Sequence, residues 1–200
     1  MHLSTATLNA QQKYRLLSGG ITPRPIAWIS TRSKQGIDNL APYSFFTVAS
    51  CDPPVLLFTQ VTPGNQVDKD SLQNLKDTGE CVVNMVNTEL LEMMNKTSAS
   101  LAQDESEFSF AGVTSCTSLC VIPLSVKDSP VRYECSLRDV YPISDLPTGG
   151  TLVLLDVKSV YVQDALYEEG VLNQTALDTV GKMGGDAYAL TQTLVELKRP

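Results

Sequence analysis

Two short segments of the sequence carry side chains suited to binding an anion. They are Ser30, Thr31 and Arg32, and Lys69, Asp70 and Ser71. An arginine can form a two-pronged hydrogen-bonded contact with phosphate oxygens, and the hydroxyl groups beside it can donate further hydrogen bonds. The second segment lies at the predicted start of a helix, where free N–H groups and the helix dipole favour an anion. Both segments are candidate phosphate ligands. The alternative is that Arg32 and Lys69 are ordinary surface charges.

Residues 39–46, between these segments, suit a flat and largely apolar ligand. They combine small residues, a proline, hydroxyl groups and two adjacent aromatic rings. Such a segment can pack against an apolar surface while its backbone N–H and C=O groups bind a polar edge. The candidate contacts are Asn39, Leu40, Ala41, Tyr43, Ser44 and Phe45. Because adjacent strand residues point to opposite faces, we expect only one of Phe45 and Phe46 to meet the ligand and the other to join the core.

Strands and short helices must position these segments. Short apolar runs predict strands at residues 25–30, 55–60 and 80–86, and longer patterns predict strands at 131–140 and 151–162 that pair as a hairpin. Short helices are predicted at residues 9–18, 68–77, 88–96 and 174–180, the first capped by Asn9 with Gln12. Residues 97–123 are a long connection whose strands the pattern does not locate. These elements favour a mainly β fold, a closed or split barrel with short peripheral helices.

The pattern also predicts which polar residues face solvent. Val131, Tyr133, Cys135 and Leu137 alternate with Arg132, Glu134, Ser136 and Arg138, which indicates one buried and one solvated face. Residues 104–107 are expected to form a solvated loop that could border the opening of a site. Trp28 is expected in the barrel core. The two glycines of residues 184–188 permit either a close approach to a ligand or a simple turn before the last strand.

Composition limits the class of protein. The chain has 200 residues, 42% hydrophobic and 18% charged, which fits one globular domain spanning residues 1–200. Its net charge of −7 argues against a nucleic-acid-binding protein, which would need a basic face. The sequence contains no apolar run of about 18 residues or more and no signal-peptide pattern at its start, so we expect a cytoplasmic protein without a membrane span.

The cysteines and the single histidine exclude several kinds of site. Five cysteines, an odd number and widely spread, indicate free thiols in a reducing compartment. Cys116 and Cys120 lack a second pair of ligands, so no metal site is predicted. A lone histidine at His2 argues against a Ser-His-Asp or Cys-His hydrolase. No GxGxxG motif follows a strand, which argues against a Rossmann nicotinamide domain.

The order of the segments resembles the FMN-binding split-barrel family, whose members are often called flavin reductase-like proteins. The resemblance rests on PRPIAWISTR at 23–32, Gly36, NLAPYSFF at 39–46, DPP at 52–54, KDSLQN at 69–74, TGE at 78–80, NKTS at 95–98 and GGDAY at 184–188. No single segment is specific, but the ordered set spans nearly the whole chain and is much stronger than any of its parts.

This resemblance implies an FMN-binding split β-barrel of Greek-key type. Residues 30–32 and 69–71 would hold the phosphate and ribityl chain, residues 39–46 would lie along the isoalloxazine ring, and residues 184–188 would lie near it. It also implies a homodimer and an NAD(P)H-dependent oxidoreductase, in which NADH or NADPH binds transiently over the flavin. Because hydride transfer to flavin needs no protein acid or base at the reacting atom, no catalytic residue is predicted.

Two other functions remain open on the sequence alone. The chain could bind or store FMN, or pass electrons to a partner, without turnover of its own. It could also be a β-barrel for another ligand such as haem, although a single histidine at position 2 supports axial ligation poorly.

Overall fold

The computed structural model describes residues 1–62 and 68–199. The helices are α1 (Ala10–Gly20), α2 (Asp70–Thr78), α3 (Leu91–Lys96), α4 (Glu107–Ala111) and α5 (Gln174–Leu177). The long strands are β1 (Ala27–Arg32), β2 (Asp38–Tyr43), β3 (Phe46–Cys51), β4 (Pro54–Val61), β5 (Glu80–Met85), β8 (Val131–Pro142) and β9 (Gly150–Val162). The short strands are β6 (Ser115–Cys116), β7 (Ser125–Val126), β10 (Tyr167–Glu168), β11 (Val171–Leu172), β12 (Val180–Lys182) and β13 (Tyr188–Leu190).

The seven long strands form one antiparallel sheet in the order β2-β1-β5-β8-β9-β4-β3. Strands β2 and β3 are its two edges, yet only two residues, Ser44 and Phe45, separate them in the chain. The end of β2 therefore lies next to the start of β3, and β2 also approaches β4. Thr59 of β4 continues the pairing with β3 through a backbone hydrogen bond to Phe45 O at 2.8 Å. The sheet is thus rolled into a barrel that stays open between its edges, which confirms the predicted mainly β, Greek-key split barrel.

Two cores lie on opposite sides of this curved sheet. The barrel interior contains Ile29, Phe58 and Val83, and helix α2 packs Leu72 and Leu75 against them. The outer core lies under α3 and α4 and contains Trp28, Leu40 and Met94, among others. Trp28 is fully buried, but in this outer core rather than in the barrel interior where we expected it. Strand β1 contributes to both cores, since Ala27 and Ile29 face the barrel interior and Trp28 faces the outer core.

Local sequence signals account for where the helices begin and end. Asn9 and Gln12 form a reciprocal capping box at the start of α1, with both hydrogen bonds at 2.9 Å. Helix α2 ends at Gly79, whose φ of 78° places it in the left-handed region that favours glycine. Among the described residues, no helix is long and apolar enough to cross a membrane.

Most of residues 39–46 belong to β2 and β3. Two predictions of solvated residues are wrong. Arg132 and Glu134 are buried rather than solvated, because the segment between β6 and β7 covers that face of β8. Glu107 is also buried, since it begins α4 and points its carboxylate at β2. In each case a long-range contact, absent from the local pattern, provides the hydrogen bonds.

Candidate functional site

A groove runs along the outer side of β2. It consists of two adjoining cavities of about 360 and 340 Å³ that share Pro42 and Ser98 as a common wall. One cavity is lined by Asn39, Ala41, Glu107, Asp68, the start of α2 and residues 97–101. The other is lined by Ser44, Asn95, Lys182, Gly185, Asp186 and Tyr188. The extended strand offers a flat surface, whereas the ends of the groove carry the charged residues.

The start of α2 forms one end of the groove. Lys69 is the N-cap residue, and no side chain of the described residues caps the helix there, so the first N–H groups of α2 are available to an anion. Lys69 Nζ lies 5.9 Å from the centre of the Tyr43 ring. Ser71 is fixed beside it, because its hydroxyl donates to Asn39 Oδ1 at 2.7 Å. This end combines a cation, a helix N-terminus and a hydroxyl group.

Asn39 and Glu107 form a buried polar cluster in the wall of this cavity. Asn39 Nδ2 donates to both carboxylate oxygens of Glu107 at 3.0 Å, and Leu40 N donates to Glu107 Oε2 at 2.9 Å. The Asn39 side-chain oxygen accepts from Ser71 and from Thr31. The cluster ties α4, β2, α2 and β1 together, and it holds a carboxylate next to the end of the groove that suits an anion.

Glu107 should make the stability of the protein depend on pH. Burial raises the pKa of its carboxyl above the ordinary value of 4.5, and the hydrogen bonds from Leu40 and Asn39 oppose this only in part. The folded protein therefore binds this proton more tightly than the unfolded chain does. The resulting stabilisation is present below pH 4.5 and is lost as the pH rises through the raised pKa.

We therefore expect wild-type protein to lose stability relative to Glu107→Gln as the pH rises from about 4.5 to about 8. The measurement is the urea unfolding midpoint of both proteins across that range. Glu105→Gln is the matched control, since Glu105 lies two residues earlier and is exposed. Its curve should run parallel to that of the wild type. If the urea midpoints of Glu107→Gln and of the wild type also changed in parallel with pH, Glu107 would not be the group with the raised pKa.

The loop between β12 and β13 forms the other end of the groove. Lys182 donates hydrogen bonds to the carbonyl oxygens of Gly185 and Ala187, and its Nζ lies 4.3 Å from the centre of the Tyr188 ring. Tyr188 in turn donates to Asn95 Oδ1 at 2.9 Å. The predicted glycine-containing loop therefore reaches the same groove as β2, although 140 residues separate them in sequence. Burial lowers the pKa of Lys182.

A third cavity, of about 460 Å³, lies on the far side of Asn39 and Asp70. It is the larger space, but Asp70, Asp77, Asp104 and Glu105 line it. Its described lining contains no lysine or arginine to offset these four carboxylates, whereas the cavity at the start of α2 places Lys69 beside Asp68, Asp70 and Glu107. A phosphate is therefore better suited to the Lys69 side of α2 than to this cavity.

The structure brings together half of the residues predicted from the sequence. Six of them line the groove: Asn39, Ala41, Ser44, Lys69, Asp70 and Ser71. Six others lie outside both cavities: Ser30, Thr31, Arg32, Leu40, Tyr43 and Phe45. The Ser30 and Thr31 side chains are buried and hydrogen-bonded inside the protein. The Arg32 guanidinium is bound at two points by Asp38, at 2.8 and 2.9 Å, and lines a separate cavity.

The remaining three predicted residues lie behind the groove. Leu40 packs in the outer core and Tyr43 in the barrel interior. Phe45 stacks on Tyr14 of α1 with ring centres 6.3 Å apart, and Arg24 covers it at 5.6 Å. Phe45 is thus enclosed by α1 and Arg24 within the chain.

Sequence reasoning missed several groove residues. Pro42, Asn95, Ser98 and Lys182 line the groove, although their residue types and spacing alone do not indicate a ligand contact. Arg24 was also missed: its guanidinium donates to Ser44 Oγ, to Met183 O, to Ser18 O in the last turn of α1 and to Ile21 O just after that helix, so it joins three parts of the chain behind the groove. The available signal was that Arg24, Pro42, Asn95 and Ser98 all lie in the segments that carry the family resemblance.

Comparison with known proteins agrees with this geometry. The sequence model of the flavin reductase like domain matches residues 19–181, which is most of the chain. The chain belongs to the flavin reductase-like family. This membership supports a flavin as the cofactor and an oxidoreductase as the class of enzyme.

Three similar proteins cover nearly the full length of this flavin reductase-like chain. An uncharacterized protein of Halalkalibacterium halodurans is 33% identical, over 100% of this chain and 97% of the other. The crystal structure of nitrilotriacetate monooxygenase component B from Bacillus cereus matches with a TM-score of 0.93 and 30% identity, over 98% of both chains. The structure of 2-nitrobenzoate 2-nitroreductase from Pseudomonas fluorescens matches with a TM-score of 0.89 and 27% identity, over 100% of this chain and 96% of the other.

Proposed function

We propose that this protein is an FMN-dependent oxidoreductase that uses NADH or NADPH to reduce flavin, or a small acceptor through bound FMN. The observation that carries the proposal is the groove along β2, with Lys69 and the start of α2 at one end and Lys182 at the other. A flat ring with an anionic tail matches this distribution of charge. The two named relatives, a monooxygenase component and a nitroreductase, support an oxidoreductase that acts on small molecules.

The residues present fit the cofactor. Lys69 and the uncapped N–H groups of α2, including that of Ser71, would hold the phosphate, which carries close to two negative charges. The Ser71 hydroxyl donates to Asn39 and fixes this turn of the helix. Backbone groups of Asn39 and Ala41, together with Ser44, would bind along the ring on the β2 side. When bound, FMN supplies the hydride-accepting and hydride-donating chemistry. The protein would orient the ring and limit the access of solvent to it. No side chain is proposed to act as an acid or a base.

Arg32, Ser30 and Thr31 stay in the proposal as the alternative phosphate ligands. Their use would require the Arg32–Asp38 contact to open, because that pair now occupies the guanidinium. A charge-assisted pair of this kind costs free energy to break. Lys69 needs no such rearrangement, so we assign it the larger share of phosphate binding.

The proposal also covers the oligomeric state, the cellular location and the small-molecule partners of the protein. The chain would act as one flavin reductase-like domain, as a homodimer and in the cytoplasm, with nicotinamide and flavin as its small-molecule partners. The absence of a GxGxxG motif in the sequence fits a nicotinamide that binds only transiently. No metal and no nucleic acid take part.

An anaerobic absorbance titration tests this function. Purified protein is supplied with FMN, and its spectrum is recorded before and after addition of NADH, and then of NADPH. Bleaching of the flavin band within seconds is the expected result. A bound band that persists with both nucleotides would instead favour a flavin carrier or an electron-transfer protein that is reduced by a partner. Failure to bind FMN at all would overturn the proposal.

A further inference from the structure

A further cavity of about 350 Å³ lies between the outer face of β8 and β9 and the segment that joins β6 to β7, away from the groove. Its walls include Arg132, Glu134 and Tyr161, together with the hydroxyl-bearing residues Thr117, Ser118, Ser125 and Ser159. None of the described residues that line it also lines the groove along β2. The flavin chemistry proposed above leaves this cavity unused.

Arg132 is the unusual residue of this cavity. It is only 9% exposed, its guanidinium stacks on the Tyr161 ring at 3.6 Å, and its Nη1 also donates to Val126 O at 3.5 Å. No described carboxylate lies within 4.0 Å of it, although its charge acts on Glu134 in the same cavity. Burial of Glu134 opposes its ionisation, but the charge of Arg132 adds to the hydrogen bonds from Cys120 and Leu119 that lower the pKa of that carboxyl. The Nε of Arg132 is buried and has no hydrogen-bond partner among the described residues. A buried cation with an unsatisfied donor favours a nearby negative charge.

The sulfur atom of Cys116 is in contact with this cation. Arg132 Nη1 donates to Cys116 Sγ at 2.7 Å, and Cys116, at the end of β6, is partly exposed. The attacking species in thiol chemistry is the thiolate, and an anionic reagent that reaches this sulfur also meets the guanidinium charge. Cys116 therefore combines access to solvent with a positive charge at the sulfur.

The other four cysteines lack this combination. Cys81 and Cys135 face each other on β5 and β8, are fully buried and are closed to reagents. Cys120 is exposed, but its thiol donates to Glu134 Oε2 at 3.0 Å, and this hydrogen bond is the main cause that raises the pKa of Cys120 to about 11. Cys51 is exposed at the end of β3, next to the carboxylate of Asp52. The chain thus provides its own set of comparison thiols.

We propose that Cys116 is the reactive thiol of this protein and exchanges with small disulfides that carry carboxylate groups, which Arg132 attracts into the adjoining cavity. In the exchange, Cys116 releases its proton to solvent and its sulfur attacks one sulfur of the disulfide. A new S–S bond forms to Cys116 while the old S–S bond breaks. The leaving half departs as a thiolate with the electron pair, so the number of disulfide bonds is unchanged.

The experiment compares two aromatic disulfides on the full chain without added flavin. Dithiobis(nitrobenzoate) carries two carboxylates, and dithiodipyridine is neutral. In wild-type protein we expect one fast equivalent with the anionic reagent, about tenfold or more faster than the remaining exposed thiols. Cys116→Ser should remove this fast phase, and Cys51→Ser should leave it intact. A fast phase that persists in Cys116→Ser would overturn the proposal.

The role of Arg132 in attracting anionic disulfides is tested by comparing the rates at which the two reagents react with Cys116. Arg132→Gln should lower the rate with dithiobis(nitrobenzoate) about tenfold and change the rate with dithiodipyridine far less, while Arg132→Lys should restore part of the difference, because lysine keeps the charge. Equal losses with both reagents would overturn the role of Arg132 in selecting anions.

Salt tests the same point without a substitution, should Arg132→Gln fail to fold. Raising KCl from about 0.02 to about 0.5 M should slow the anionic reagent several-fold at Cys116 and leave the neutral reagent unchanged, because salt screens the attraction to Arg132. An anionic rate that does not respond to salt would count against the proposal.

Discussion

Lys69→Ala is expected to weaken FMN binding by about 1–3 kcal/mol, or about 5- to 150-fold in Kd. Lys69 is the cation at the end of the groove where α2 begins, and its loss removes a charge-assisted contact to the phosphate. Isothermal titration calorimetry of the flavin-free protein measures the change. Riboflavin, which lacks the phosphate, should bind both proteins equally if Lys69 acts on the phosphate alone.

Two variants serve as comparisons for Lys69→Ala. Lys158→Ala removes the same charge from β9, where Lys158 lies near Asp156 and neither residue lines the groove, and should change FMN affinity by less than about 0.5 kcal/mol. Arg32→Ala tests the other phosphate ligand predicted from the sequence, with the same expected range of about 1–3 kcal/mol if it binds phosphate. A loss in Arg32→Ala and none in Lys69→Ala would reverse our assignment.

Asn39→Ala is expected to lower the free energy of unfolding by about 3 kcal/mol, which corresponds to roughly 6–12 °C in Tm for a chain of this size. The substitution leaves the carboxylate of Glu107, which is only 6% exposed, with a single hydrogen bond from Leu40. It also deprives the Ser71 and Thr31 hydroxyls of their shared acceptor. A buried charge without its donors costs more than the lost contacts alone.

A double-mutant cycle separates this effect from a simple loss of packing. Asn39→Ala combined with Glu107→Ala should be less destabilised than the sum of the two single variants, by about 1–3 kcal/mol, because no buried carboxylate remains to be satisfied. Asn95→Ala is the matched control: its side-chain oxygen accepts one exposed hydrogen bond from Tyr188, and its loss should cost less than about 0.5 kcal/mol. If the losses in free energy of unfolding of the two single variants simply added in the double variant, Asn39 and Glu107 would not be coupled.

Several elements could be predicted because their signals are local. The capping box of Asn9 and Gln12 lies within one helical turn, and Gly79 ends α2 through its own backbone freedom. The strands at β1, β4, β5, β8 and β9 follow from apolar runs that only burial can satisfy. The start of α2 was also predicted to within two residues, and with it the helix N-terminus that now forms one end of the groove.

Other features could not be predicted, because their partners are far away in sequence. Asn39 meets Glu107 across 68 residues, and Arg32 is occupied by Asp38 only because β1 and β2 pair in this register. Arg132 and Glu134 have the spacing of a solvated strand face, yet a segment that no periodic pattern locates covers them. A buried polar group is tolerable only when such a partner is present.

The sequence by itself determined the family, the mainly β composition and the segments that border the groove, since these depend on short-range pattern and on the order of segments. The tertiary structure decided which residues of those segments face the groove. It rolled the sheet so that β2 lies beside residues 97–101 and 182–188, and it turned Leu40 and Tyr43 inward to the two cores. The physical reason is that the face a strand residue presents depends on sheet register and on what packs against it, and both are set by contacts between distant parts of the chain.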